Sequence, residues 1–368
     1  MDSPNVPAMS AGEVVDALKG LLARSVRAGA DLRSQPSVML WGPPGVGKSQ
    51  AVRQVASELE AATGKRVVVT DIRLLLYSPV DLRGIPVAND DKTLAVWLRP
   101  KVFDLDPGDD VINIVLLDEL SAAPPSVQAA AYQLVLEGAV GEHQLPGNCS
   151  IIAAGNRLSD RGVAYRMPKP LANRMLHIEV RPDFPSWREW AVRSGVNDKV
   201  VAYLAFRPDR LMAFDASSED LAFASPRSWA MAGEVLDGCG GDVEQAFPLV
   251  CGLVGVGAAS EFRTWSRVYG QLPNMDDVFG GTARRVPKGA DALYALTSAM
   301  TAHARAHLDD RVAIEHSIAY AQKLPPDFSV MLLKDYLALV PGHRERLMRI
   351  PRFAKWVAQN GRLLNGTV

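Results

Sequence analysis

The spacing of apolar positions changes near residue 182. Before it, short aliphatic runs alternate with stretches whose apolar residues recur every three or four positions; after it, nearly every segment is of the second kind. Ser10 opens a Ser-x-x-Glu capping box with Glu13, and Val14, Leu18, Leu21 and Leu22 then share one helical face, predicting a helix to about Arg27. Ser37–Trp41 (SVMLW) reads as a strand that stops at a glycine-rich turn, and Lys48 to about Ala62 resumes helical spacing through Val52, Val55 and Leu59. Arg66–Leu74 has the β-branched density of a second strand. Val111–Leu117 is a nearly continuous aliphatic run of the kind buried on both faces of a parallel sheet, and Cys149–Ala154 and Leu176–Val180 supply two more strands. Strands alternating with helices predict a doubly wound parallel α/β sheet, whose ligands bind at the carboxyl ends of the strands. Beyond Pro182 the pattern predicts helices at 187–193, 199–206, 229–236 and 243–262, then several between Ala290 and Asn360. Residues 270–289 collect Gly, Pro, Asn, Asp and Arg without periodicity, as a linker or loop does.

Chemistry-bearing residues fall at the ends of these strands. Gly42–Ser49 (GPPGVGKS) matches G-x-x-x-x-G-K-[ST] without a mismatch, directly after a strand and before a helix. In such a loop the main chain of Gly42, Pro43, Pro44, Gly45, Val46, Gly47, Lys48, Ser49 and Gln50 wraps a phosphate tail, helped by the positive end of the following helix. Lys48 is expected to reach the β- and γ-phosphates and the Ser49 hydroxyl to bind Mg²⁺. Asp118 and Glu119 follow the run Ile114–Leu117, so one strand end presents two adjacent carboxylates. Such a pair also occurs as a plain helix cap. Beside a phosphate loop, the first acid is the natural Mg²⁺ partner and the second the group that polarises an attacking water.

With these motifs in order, and with LLDEL at 116–120, IIAAGN ending at Asn156, LANRM at 171–175 and SPRSW at 225–229, the chain resembles MoxR-type AAA+ ATPases, P-loop NTPases of the dynein-related AAA subfamily. The resemblance covers roughly residues 10–260. It implies a P-loop NTPase doubly wound parallel sheet, the AAA+ core, at residues 1–183. An α-helical lid at 184–269, a linker at 270–289 and a helical C-terminal extension at 290–368 would follow. By the same resemblance Asn156 is the polar sensor that orients the attacking water. Arg174 is the arginine finger offered to a neighbouring subunit, and Arg227 the second sensor on the lid. Arg161 and Arg166 are alternatives to Arg174 on the same segment. Residues 78–98 resemble the loop and hairpin that this family inserts, and Gly138–Pro146 a pre-sensor hairpin. There Val140, Glu142, His143 and Gln144 would face a partner, unless the hairpin is an ordinary solvent-facing one.

Together these imply ATP and Mg²⁺ as ligands, ATP hydrolysis as the activity, and a homo-oligomeric ring, hexameric by family expectation. A separate partner protein is expected to be remodelled, activated or assembled, such as one with a von Willebrand A-type domain. Two other classes stand beside this reading: a nucleic-acid translocase or loader, and an ATP-gated adaptor with little hydrolysis. The 40 basic and 41 acidic side chains nearly cancel, which weighs against a nucleic-acid machine, although Arg344–Lys355 is locally basic. Apolar residues form 48% of the 368, enough for a real core. Cys149, Cys239 and Cys251 match neither a disulfide framework nor a zinc site. No leader pattern opens the chain and no run reaches the roughly 18 apolar residues of a membrane span, so a cytoplasmic protein is expected. His303 and His307 share a helical face, but Ala304 stands where a zincin helix needs Glu, so both read as surface histidines.

Overall fold

The computed structural model describes residues 6–160, 165, 167–340 and 343–364. It divides into two compact units, Met1–Pro182 with Asp215–Ser218, and Asp183–Phe214 with Glu219–Val368.

The first unit is built on strands β1 (Ala8–Ser10), β2 (Ser37–Trp41), β3 (Arg66–Arg73), β6 (Val111–Asp118), β9 (Cys149–Gly155) and β10 (Met175–Arg181), introduced here with the short hairpin strands β4 (Ile85–Ala88), β5 (Ala95–Leu98), β7 (Ala139–Val140) and β8 (His143–Gln144). Among the described residues the main sheet is six-stranded, in the order β1-β10-β2-β9-β6-β3. All its pairings are parallel. This is the predicted doubly wound α/β sheet of a P-loop fold. Its central strands are buried along their length, as their unbroken aliphatic character requires. Helices α1 (Ala11–Arg27) and α2 (Lys48–Thr63) cover one face, where Val14, Leu18, Val52, Val55 and Leu59 meet Leu40, Ile114 and Ile152. Helices α3 (Pro79–Arg83) and α4 (Pro125–Glu137) belong to the other, where Leu82, Val127, Ala131 and Leu134 meet Met39, Val115, Leu117 and Ala153. The capping box at Ser10 and Glu13 forms as the spacing predicts, with Ser10 N–H donating to Glu13 at 2.6 Å.

Two hairpins leave this layer. In β4–β5 the pairs Ile85 with Leu98 and Val87 with Val96 share one face, and all four side chains are exposed. In β7–β8 the structure corrects the expectation for Val140, which is only 4% exposed and packs into the core instead of facing a partner. His143 Nε2 lies 2.7 Å from the Trp97 carbonyl of the other hairpin, leaving Glu142 and Gln144 exposed.

The second unit is helical. A single apolar cluster runs from Trp187 and Trp229 through Phe262, Leu296 and Tyr336 to Phe353 and Trp356. Residues on either side of 270–289 therefore share one core. That segment is not a plain linker: Met275–Phe279 is helical, and Val278 and Phe279 are buried in the cluster. Two further differences have local causes. The stretch expected as one helix over 243–262 is two, Val243–Val254 and Val256–Ser266, because Gly255 takes φ 86° and breaks the ladder. His303, read as a surface residue, packs its ring 4.4 Å from that of Phe279 and its side chain is 19% exposed, so burial lowers its pKa.

Candidate functional site

The carboxyl ends of β2, β6 and β9, neighbours in the sheet, bring five polar side chains together. After Trp41 the chain turns at Gly42, where a Cβ would sit 2.7 Å from the Val180 carbonyl of β10; only glycine lets the loop leave the sheet there. The loop returns into α2, whose first residue is Lys48. Lys48, 8% exposed, donates its ammonium to Gly42 O (2.7 Å), Pro43 O (3.1 Å) and Asn156 Oδ1 (2.9 Å). A buried ammonium needs such acceptors, and these hold it across the loop toward the end of β9. The Val46 side chain is in the core, which leaves only its main chain to the loop, and Pro43 and Pro44 have no N–H to offer a phosphate. Gln50 is exposed on the first turn of α2.

Ser49 Oγ donates to Asp118 Oδ2 at 2.7 Å, and Asp118 Oδ1 accepts the Glu119 N–H at 3.0 Å. Glu119 has φ 59°, a left-handed conformation that costs a non-glycine residue about 1–2 kcal/mol. The surroundings enforce it: Glu119 O accepts from the N–H groups of Ala122 and Ala123, while Leu120 N–H is taken by Ala154 O. This twist turns Glu119 so that Oε2 lies 3.5 Å from Asn156 Nδ2. Asn156 is itself bracketed by Ser121, whose Oγ donates to Asn156 O (2.9 Å) and accepts from Asn156 N–H (3.0 Å). Its amide thus spans Lys48 and Glu119 in one orientation.

Lys48, Ser49, Asp118, Glu119 and Asn156 form one hydrogen-bonded chain over the strand ends. Neither arginine is a member of that hydrogen-bonded chain. Arg174 follows the short helix α5 (Lys169–Ala172), is exposed, and makes no side-chain hydrogen bond or ion pair among the described residues. Arg227 is exposed in the first turn of the helix Pro226–Gly238 in the second unit, after a Ser225 cap that accepts from Ser228 N–H at 3.1 Å. Arg161 and Arg166 lie outside the described residues.

Several contributors carry no motif. Ser121 is one. Arg157, next to Asn156, pairs with Asp160 (2.9 Å) and with Glu179 of β10. Burial would lower the pKa of that guanidinium, but the two carboxylates outweigh it and hold the value up. Trp41 and His177 also meet, at residues 136 positions apart. Trp41 ends β2, Ser121 and Arg157 follow β6 and β9, and His177 lies within β10, places that no motif marks.

The oxygen donors Ser49 and Asp118 fit a hard divalent cation that keeps water in its shell. Residues 37–177 match the family described as ATPase family associated with various cellular activities (AAA). Uncharacterized protein YeaC of Bacillus subtilis is 31% identical over 164 residues, covering 44% of this chain and 47% of its own length. Chaperone MoxR1 of Mycobacterium tuberculosis is 28% identical over 172 residues, covering 45% of this chain and 42% of its own. Among solved structures, a putative ATPase from Cytophaga hutchinsonii aligns at 15% identity and TM-score 0.33 over 88% of this chain and 93% of its own. Over this stretch the chain is similar to AAA+ ATPases of the MoxR type. The matched stretch spans about half the length of the curated relatives. No helix of the described residues is long and apolar enough to cross a membrane.

Proposed function

We propose that the chain binds ATP at the loop Gly42–Ser49 and hydrolyses it to ADP and phosphate within a homo-oligomeric ring, using the cycle to remodel, activate or assemble a partner protein. The observation that carries this reading is the chain Ser49–Asp118–Glu119–Asn156–Lys48 at the ends of three adjacent parallel strands. Phosphoryl transfer to water is mostly positioning and charge neutralisation. Lys48 neutralises phosphate oxygens, and Glu119 accepts the proton of the attacking water, which Asn156 orients. Mg²⁺, held by Ser49 and Asp118, would supply charge neutralisation of the β- and γ-oxygens when bound. Arg174 from a neighbouring protomer and Arg227 complete the neutralisation.

An exposed Arg174 with no side-chain partner among the described residues supports a finger acting in trans, and a repeated head-to-tail contact closes into a ring, six-membered by family expectation. The exposed aliphatic face of β4–β5 supports contact with a partner protein, since soluble proteins rarely leave such faces bare. A von Willebrand A-type domain is the partner the family offers.

The test is turnover and ATP retention with purified variants. Glu119→Gln is expected to keep ATP bound while turnover falls at least about 100-fold, and Lys48→Ala to lose ATP binding. A Glu119→Gln variant that turns over at the wild-type rate would sink the reading.

A further inference from the structure

Trp41 and His177 link the phosphate loop to the segment that presents Arg174. Trp41 is the last residue of β2, immediately before Gly42, and its indole N–H donates to His177 Nδ1 at 2.9 Å. The two rings stack at 6.0 Å with an interplanar angle of 21°. On its other side His177 Nε2 meets the Ala172 carbonyl at 2.7 Å. An indole can only donate and a carbonyl only accept, so the imidazole is fixed as the tautomer with its proton on Nε2. Ala172 is the last residue of α5; Asn173 N–H returns to Lys169 O at 3.0 Å and Arg174 N–H to Leu171 O at 3.0 Å. The anchored carbonyl thus fixes a peptide plane two residues before Arg174.

The strand that carries His177 is tied to the other end of the site as well. Glu179 pairs with Arg157, the neighbour of Asn156, and β10 lies directly beside β2, with Ile178 opposite Leu40. Displacement of the loop at Gly42, or of Asn156, therefore reaches β10 at two points, and β10 begins directly after Arg174.

We infer that His177 is a positioning residue that couples the phosphate loop of one protomer, through Trp41 and the Ala172 carbonyl, to the Arg174 guanidinium that the same protomer offers to its neighbour. This inference rests on the trans-acting role proposed above for Arg174. Its consequence is directional: a protomer whose relay is broken binds its own nucleotide normally, and hydrolysis fails in the next site.

Mixed assemblies of full-length variants test it. His177→Phe keeps an aromatic ring and removes both hydrogen bonds. Alone it should bind ATP with unchanged affinity and lose about tenfold in kcat, as displacement of a charge-neutralising group does. Mixed with Lys48→Ala, which has a dead nucleotide site but an intact finger, it should regain hydrolysis, because its own nucleotide site then faces a correctly held Arg174. Arg174→Ala mixed with Lys48→Ala is the control. If the control does not recover, the finger assignment itself falls. If the control recovers and the His177→Phe mixture does not, or if His177→Phe alone turns over at the wild-type rate, the relay is overturned. Trp41→Phe, which removes the donor while leaving the Ala172 contact, should show the same rescue and carries the test if His177→Phe does not fold.

Discussion

Each unit buries charged side chains, but for different ends. In the first, Lys48 spreads its protons over two main-chain carbonyls and an amide, next to a glutamate held in the left-handed region. In the second, Arg188 and Asp335, each 6% exposed, form a two-point fork through Nε (3.1 Å) and Nη2, with Thr301 Oγ1 at 3.4 Å from the same carboxylate. Arg188 Nη1 has no partner among the described residues. Neutral acceptors around an ammonium can be exchanged for phosphate oxygens at modest cost, whereas a guanidinium–carboxylate fork is exchanged for nothing. Both non-glycine residues with positive φ among the described ones, Lys92 and Glu119, lie in the first unit. A buried charge among several neutral partners, close to strained backbone, marks a site; a buried charge in one tight fork marks a fold.

Stability measurements separate the two cases most sharply at Asp335. Asp335→Ala leaves the Arg188 guanidinium buried without its counter-ion and should cost about 3–5 kcal/mol. Lys48→Met removes a charge together with its need for partners, and should leave the unfolding midpoint within about 1 kcal/mol of wild type while nucleotide binding is lost. Urea unfolding of both variants checks the pair. Equal losses would erase the distinction.

A smaller effect belongs to Gly155, where the site is held by close approach. A Cβ there would stand 2.5 Å from Ser121 Oγ and 2.8 Å from Met39 Cε. Because Ser121 brackets Asn156, Gly155→Ala should cost about 1–3 kcal/mol by overpacking and lower turnover while ATP affinity is kept. Thermal unfolding and steady-state kinetics on one preparation check both; a stable variant with full turnover would show that Ser121 is dispensable.

How much of this was legible beforehand divides by range. The parallel strands, the loop, the acids at the end of β6 and the capping box at Ser10 are local patterns, and periodicity with motif spacing reports them directly. Glu119 could be named from its place after a strand, but its φ of 59° arises from hydrogen bonds to Ala122 and Ala123 and from Asp118, which no spacing records. Ser121, Trp41 and His177 act through partners 35 or 136 positions away, and strand order had to exist before they could meet. Val140 shows the opposite failure: its hairpin reads as facing a partner or solvent, yet this residue fills the core. Residues 270–289 looked irregular because their composition is, although Val278 and Phe279 are core residues. For Arg174 and Arg227 the sequence supplies a resemblance and no local pattern of its own.

The smallest predicted effect concerns Cys149, at the opposite end of β9 from Asn156. Its side chain is fully buried, and that burial pushes the thiol up to about 12, while the nearby Arg33 guanidinium draws it down more weakly. Cys239 and Cys251 are half-buried. A thiol reagent at pH 8 should therefore modify those two in the folded protein and reach Cys149 only after unfolding. The sign of the pH effect follows from proton counting. Above about 8.5 the unfolded thiol loses its proton and the folded one keeps it, so stability falls as pH rises from there toward 12; below about 8.5 both forms are protonated and Cys149 contributes nothing. Cys149→Ser should flatten that alkaline slope without altering turnover. One strand then separates two polar groups, a buried thiol where β9 enters the sheet and, just past its other end, the half-buried Asn156 amide proposed to act in hydrolysis. If Cys149→Ser slowed hydrolysis, position along the strand would no longer separate them.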